Sequence, residues 1–75
     1  MKKRLYEIVG KRIRVLREAR GLSQEEFAAI CNLHRTYIGG IERGERNITL
    51  ETLQTIADAL KVSPVELVRD SERNV

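Results

Sequence analysis

Apolar residues recur along the chain at the three- and four-residue spacing of α-helices, in short runs separated by polar turn residues. The apolar positions of the first run share one helical face: Leu5, Ile8, Val9, Ile13 and Leu16. A later run has the same property: Leu50, Leu53, Ile56, Ala57 and Leu60. Both stripes predict amphipathic helices that pack around a common core. No run alternates in the manner of a β-strand.

Helix starts are marked by capping residues flanked by apolar residues at the hydrophobic staple spacing. The residues with this signature are Ser23, Thr49, Ser63 and, as a weaker cap, His34. Glu26 and Glu66 follow their serines by three positions, so both are expected to close capping boxes. Gly21, Asn32 and Gly44 are expected to end helices, because each tolerates the left-handed conformation. The predicted helices cover about 3–20, 24–31, 35–43, 50–60 and 64–69.

These elements predict an all-α fold, a compact five-helix bundle forming a single domain over residues 1–75. The lone cysteine, Cys31, excludes an internal disulfide and, with His34, supplies too few ligands for a structural zinc site. No metal or cofactor is therefore expected. No run suits a membrane span or an export signal, which predicts a cytoplasmic protein without a membrane partner.

The arrangement of polar residues argues against an enzyme. The sequence has no clustered carboxylates, no phosphate-binding glycine loop and no nucleophile beside a base, so no catalytic residue and no small-molecule ligand are expected. Net charge is +3, and residues 1–20 hold eight basic and two acidic groups. Such a basic end suggests a polyanionic partner, although a solvated helix face explains it equally well.

Two adjacent glycines, Gly39 and Gly40, fall inside the third predicted helix, where each costs about 0.8–1.0 kcal/mol relative to alanine. At 100° per residue they lie opposite the isoleucines of that helix, so they are expected to face outward. Bare backbone there would let the helix approach another surface closely, while Arg35 and Thr36 reach further. This is the geometry of a helix lying in a DNA major groove with its N-terminal residues at base edges.

Residues 24–43 as a whole fit a helix-turn-helix. Its two helices are expected to meet through an apolar set: Phe27, Cys31, Leu33, Ile38 and Ile41. Double-stranded DNA is therefore the expected partner. RNA is disfavoured because exposed aromatic residues that could stack on bases are nearly absent.

Three segments carry a resemblance to a known family: "IRVLREARGLSQEEFA", "LHRTYIGGIERG" and "LQTIADALKVSPVELV". Together they resemble the Cro and phage-repressor (Xre) helix-turn-helix family over about residues 8–69, which implies a lambda-repressor-like DNA-binding domain.

More narrowly, the stretch "RTYIGGIERGERNIT" resembles the controller proteins of bacterial restriction-modification systems. Those proteins are dimeric transcription factors that bind operators near their own promoters. The sequence departs from the family pattern at Asn32, where glycine is common, and at Gly39 and Gly40, where longer side chains often contact bases.

Candidate DNA contacts follow from position and chemistry. Arg35 can donate two hydrogen bonds to guanine, with a phosphate contact as the alternative. Thr36 offers a methyl and a hydroxyl to a base, or serves only the helix start. Backbone contacts are expected from polar residues around the motif: Gln24, His34, Tyr37, Arg43, Arg46 and Asn47. The alternatives are a solvated glutamine, a helix cap at His34 and plain packing of Tyr37.

The family resemblance also implies an ion pair between Arg17 and Glu42, which would join the first and third helices. A dimerisation region is predicted at about 58–70. Its expected interface residues are Leu60, Val62, Val65, Leu67 and Val68. A single short terminal helix does not normally bury this much apolar surface, although closure of the monomer core is the alternative.

Two units are needed for useful specificity, because one such helix reads only a few base pairs. We therefore predict a sequence-specific transcriptional regulator that binds a pseudo-palindromic operator as a homodimer. The resemblance implies control of its own promoter and of restriction-modification genes, with RNA polymerase as a candidate partner. The alternative is an antitoxin-like or other protein-interaction module built on the same scaffold.

Overall fold

The computed structural model describes residues 3–69, which form four α-helices and one short 3-10 helix. The α-helices are α1 (Leu5–Ala19), α2 (Gln24–Cys31), α3 (Arg35–Glu42) and α4 (Leu50–Leu60). A terminal 3-10 helix spans Pro64–Leu67. The described residues contain no strand, which confirms the all-α class. Residue 70, the end of the expected dimerisation region, lies outside the described residues.

The prediction of a fifth α-helix over 64–69 is wrong, because this segment makes only one 3-10 turn. Arg12 of α1 explains the early end. Its Nε donates to the backbone carbonyl of Glu66 at 3.1 Å, and its Nη2 lies 3.5 Å from the Glu66 carboxylate. That carboxylate therefore pairs with Arg12 and does not close the capping box expected at Ser63, whose hydroxyl accepts from Val65 N at 3.4 Å.

The other starts agree with the sequence interpretation. Ser23 Oγ accepts from the Glu26 amide at 3.0 Å while the Ser23 amide donates to Glu26 Oε1 at 2.8 Å, which confirms that capping box. The hydrogen bond from the Ser23 amide to the Glu26 carboxylate, together with the nearby Ser23 hydroxyl, holds the pKa of Glu26 below its ordinary value. Thr49 Oγ1 accepts from Thr52 N at 3.1 Å. Asn32 ends α2 in the left-handed region, with φ 58°.

One apolar core joins all the elements. Its buried members are Val9, Ile13, Phe27, Ala28, Cys31, Ile38, Ile41, Ile56, Ala57, Leu60 and Leu67. Two leucines assigned to the core stripes by the sequence pattern lie at the surface, since Leu5 is 58% and Leu50 83% exposed. Each is the first residue of its helix, where the stripe extends beyond the elements packed against it.

Helices α1 and α3 cross closely at Gly10, which is buried. A Cβ atom added there would overlap the carbonyl oxygen of Ile41, and Glu42 Cα would lie 3.3 Å away. The missing side chain thus allows backbone to touch backbone where the helices cross. The sequence pattern gave Gly10 no role.

Burial raises the pKa of the Cys31 thiol to about 11, so the thiol stays protonated and packs as a small apolar group. Within residues 3–69, no helix is long and apolar enough to cross a membrane. The same part of the chain brings together no set of three or more histidine, cysteine, aspartate or glutamate side chains that could hold a metal ion.

Candidate nucleic-acid interface

Helices α2 and α3, with the tight turn between them, form the helix-turn-helix. The Leu33 amide donates to the Ala28 carbonyl at 2.9 Å, which closes the turn around Asn32. His34 then caps α3, because its Nδ1 accepts from the Thr36 amide at 3.0 Å. The ring of His34 is therefore fixed at the start of α3, and its Nε2 is the atom left for the expected contact with a DNA backbone.

The first turn of α3 presents exposed polar side chains. Arg35 and Thr36 are both exposed, and the Arg35 guanidinium makes no hydrogen bond or ion pair with the described part of the chain. The opposite face of the helix is anchored, since Ile38 and Ile41 are completely or almost completely buried. A helix anchored in the core therefore carries, at the position predicted to meet base edges, a guanidinium whose donors bind nothing else in the described part of the chain.

The glycine pair differs from the sequence expectation. Gly39 and Gly40 lie on the outer side of α3, but they are buried under polar side chains and do not present bare backbone. The position of a Gly39 Cβ is 3.1 Å from Arg43 Nη1 and 3.4 Å from Gln24 Oε1. The position of a Gly40 Cβ is 3.2 Å from Arg46 Cγ. Long side chains thus lie so close to the position of each Cβ that an added atom would shift them slightly.

Two further contacts fix these covering side chains. The Arg46 guanidinium lies over the ring of the half-buried Tyr37, 5.8 Å from its centroid. Arg43 Nε donates to Glu45 Oε2 at 3.1 Å, in an exposed ion pair. Both arginines belong to the segment that follows α3, and exposed Asn47 comes directly after them. Arg43 and Arg46 thus lie against the outer face of α3 at Gly39 and Gly40.

A buried ion pair joins α1 to the end of α3. Arg17 Nε donates to Glu42 Oε2 at 2.7 Å and Arg17 Nη2 to Glu42 Oε1 at 3.0 Å. These bonds raise the pKa of Arg17 above its ordinary value against the opposing effect of burial. Gln24 Nε2 also donates to Glu42 Oε1, at 3.0 Å, so the same carboxylate holds the glutamine expected to contact phosphate.

Much of the basic excess at the N-terminal end of the chain serves the fold. Arg14 pairs with Glu18 within α1, and Arg12 reaches the terminal 3-10 helix. Arg20 Nε donates to the Leu60 carbonyl at 3.0 Å. Each of these basic side chains therefore has a partner within the protein, which the sequence alone does not show.

The expected dimer interface needs correction. Leu60 and Leu67 are fully buried within the monomer, and Val62 is half-buried against the same core. Only Val65 and Val68 of the expected set are exposed, at 61% and 38%. The alternative of core closure therefore holds for the leucines, because α4 and the terminal 3-10 helix cover the end of the bundle.

Comparisons with known proteins agree with this architecture. The helix-turn-helix family model matches residues 13–67. Control protein C.SmaI of Serratia marcescens is 49% identical over 71 residues, covering 93% of this chain and 84% of the relative. The crystal structure of the restriction-modification controller protein C.AhdI from Aeromonas hydrophila superposes with a TM-score of 0.79 at 47% identity, covering 83% of this chain and 94% of that one.

A second similar structure contains DNA. It is the tetramer of the restriction-modification controller protein C.Esp1396I in complex with its natural 35 base-pair operator, with a TM-score of 0.78 at 41% identity, covering 88% of this chain and 87% of that one. None of these relatives favours an antitoxin-like module. The helix-turn-helix geometry and the extent of these matches place this chain in the helix-turn-helix family, among the restriction-modification controller proteins.

Proposed function

We propose that the protein is a sequence-specific transcriptional regulator that binds a pseudo-palindromic operator as a homodimer, with α3 in the major groove. The observation that carries the proposal is the exposed Arg35 guanidinium, which has no hydrogen-bond or ion-pair partner within residues 3–69, on the first turn of a helix whose other face is buried in the core. Arg35 and Thr36 contact base edges, while backbone contacts come from Gln24, His34, Tyr37, Arg43, Arg46 and Asn47.

The relatives support this assignment through the operator complex of C.Esp1396I. By analogy, the operator of this protein lies near its own promoter, and binding there controls its own gene and restriction-modification genes. A dimer bound at a promoter would lie beside RNA polymerase, which is the protein partner this function implies.

Arg35→Ala tests the assignment of base readout. Its preference for operator over unrelated duplex is expected to fall about 5- to 150-fold, corresponding to the loss of about 1–3 kcal/mol from a bidentate guanine contact. The melting temperature should not change, because Arg35 supports no packing. Competition binding at fixed salt measures the ratio of the affinity for operator to the affinity for unrelated duplex. Arg14→Ala is the matched control, since Arg14 is also exposed but lies on α1. Unchanged selectivity of Arg35→Ala would contradict the proposal.

The proposed dimer keeps Val68 of the expected set but otherwise uses a different apolar surface. Leu5, Leu50, Leu53 and Val68 line a hollow of about 370 Å³ between α1, α4 and the terminal residues. Leu50 projects at its rim with 83% of its surface exposed, so the same patch offers a projecting side chain and a recess, as a twofold contact requires. Asn47 lines the hollow as well. We expect a twofold contact through this hollow to set the two α3 helices about one DNA turn, or 34 Å, apart on the operator.

Leu50→Lys tests this interface. The variant is expected to sediment as a monomer at micromolar concentration, where the unmodified protein is a dimer, because a charged side chain would be buried in the contact. Ile30→Lys on α2 serves as the control, since Ile30 is also exposed, at 56%, and lies outside the hollow. A monomeric unmodified protein would refute dimerisation, and a dimeric Leu50→Lys variant would refute this interface.

A further inference from the structure

We infer that Gly39 and Gly40 are positioning residues for a layer of polar side chains across α3, and that this layer meets the DNA in place of bare backbone. The layer consists of Gln24, Arg43 and Arg46. The inference rests on the proposed DNA binding and assigns the glycine pair a role within that site.

The geometry shows what the glycines make room for. The nearest atoms to an added Cβ at Gly40 belong to Arg46, with Cγ at 3.2 Å and Nε at 3.4 Å, and then to Arg43, with Nη2 at 3.9 Å. At Gly39 the nearest atoms belong to Arg43 and Gln24. All of these are side-chain atoms of residues expected to contact the DNA backbone. A Cβ atom at either glycine would therefore crowd the binding residues and push them aside by a few tenths of an ångström.

Arg46 is held from two sides. Its stem lies against Gly40 and its guanidinium lies over the Tyr37 ring at 5.8 Å. Arg43 is held similarly, between Gly39 and the carboxylate of Glu45. An arginine fixed in this way loses less rotamer freedom when it binds a phosphate, so its contact contributes more to affinity than that of a freely moving side chain.

A glycine-to-alanine change distinguishes this positioning role from a purely structural one, because it should affect stability and DNA affinity in opposite directions. Alanine is a better helix former than glycine, and the atoms that an alanine at position 40 would displace belong to flexible side chains. Gly40→Ala is therefore expected to raise the melting temperature by a few degrees. The same change is expected to lower affinity for a duplex from immediately upstream of the protein's own gene by about three- to tenfold, because Arg46 is displaced.

A double-mutant cycle with Arg46→Ala distinguishes two roles for Gly40. The glycine either positions Arg46 or lets the bare backbone of α3 approach the DNA closely. If Gly40 acts by positioning Arg46, Gly40→Ala will not weaken binding further once Arg46 is alanine. If the DNA instead needs the space above Gly40, the loss will persist in the Arg46→Ala background and the inference is overturned. Arg14→Ala is the control background, in which the Gly40→Ala loss should keep its full size.

Two other outcomes also overturn the inference: unchanged affinity of Gly40→Ala, or a fall in its melting temperature. The first would mean that displacing Arg46 is without consequence, and the second that the Cβ meets something more rigid than these side chains. Failure of the unmodified protein to bind any such duplex would refute the proposed function itself, so the two failures are distinguishable.

Discussion

Replacing Glu42 with glutamine is expected to lower the free energy of unfolding by about 3–5 kcal/mol, because it leaves a buried guanidinium without its counter-charge. Arg17 is 7% exposed and Glu42 9% exposed, and two short hydrogen bonds join them. Glutamine keeps the shape of the side chain, but its NH2 group would face a donor nitrogen of Arg17 in place of a carboxylate oxygen, so the loss combines the charge with one hydrogen bond. Urea unfolding measures this loss of unfolding free energy. The slope of that free energy against urea concentration should stay unchanged.

The control for this prediction is Glu45→Gln, which removes the same charge from an exposed pair with Arg43. Exposed pairs contribute about 0–1 kcal/mol, so this variant should retain nearly the full stability. Similar losses in both variants would show that burial does not decide the strength of these pairs. A Glu42→Gln variant as stable as the unmodified protein would contradict the assigned role of the Arg17 pair.

Gly10→Ala is expected to destabilise the fold by about 1–3 kcal/mol, although alanine in a helix normally stabilises. The added Cβ would overlap the Ile41 carbonyl oxygen, which is backbone in the middle of α3 and cannot move alone. Helices α1 and α3 would have to separate, which loosens the core around Ile13 and Ile38. Thermal and urea unfolding measure the effect.

Gly40→Ala is the matched comparison, since it makes the same replacement in α3 against flexible side chains. The two variants should shift stability in opposite directions. If Gly10→Ala were as stable as the unmodified protein, the close crossing of α1 and α3 at this position would be wrong.

The helices were predictable because their ends are encoded locally. A serine or threonine before an apolar run binds the free amides of the first turn, and Ser23 and Thr49 do so as expected. The C-terminal end of α4 had no such signal. Lys61 adopts the left-handed conformation there, with φ 60°, which its sequence does not predict because glycine and asparagine usually hold that position.

Properties that depend on tertiary neighbours were not predictable in the same way. The pattern of apolar residues cannot show that Leu67 closes the core while Leu50 of a neighbouring stripe lies at the surface. Nor does a helical wheel show side chains that arrive from other segments, so it placed Gly39 and Gly40 outward without their cover of arginine and glutamine. The sequence predicted the side of α3 on which the two glycines lie, but it did not predict the side chains that cover them.

Methylation protection of guanine N7 tests most directly whether Arg35 reads a base from the major groove. On DNA from upstream of the gene, the unmodified protein should protect guanines in two half-sites about one helical turn, or 34 Å, apart. Arg35→Ala, at a concentration that restores occupancy, should lose protection of one guanine in each half-site. An identical pattern for both proteins, or no guanine N7 protected by the unmodified protein, would contradict the account.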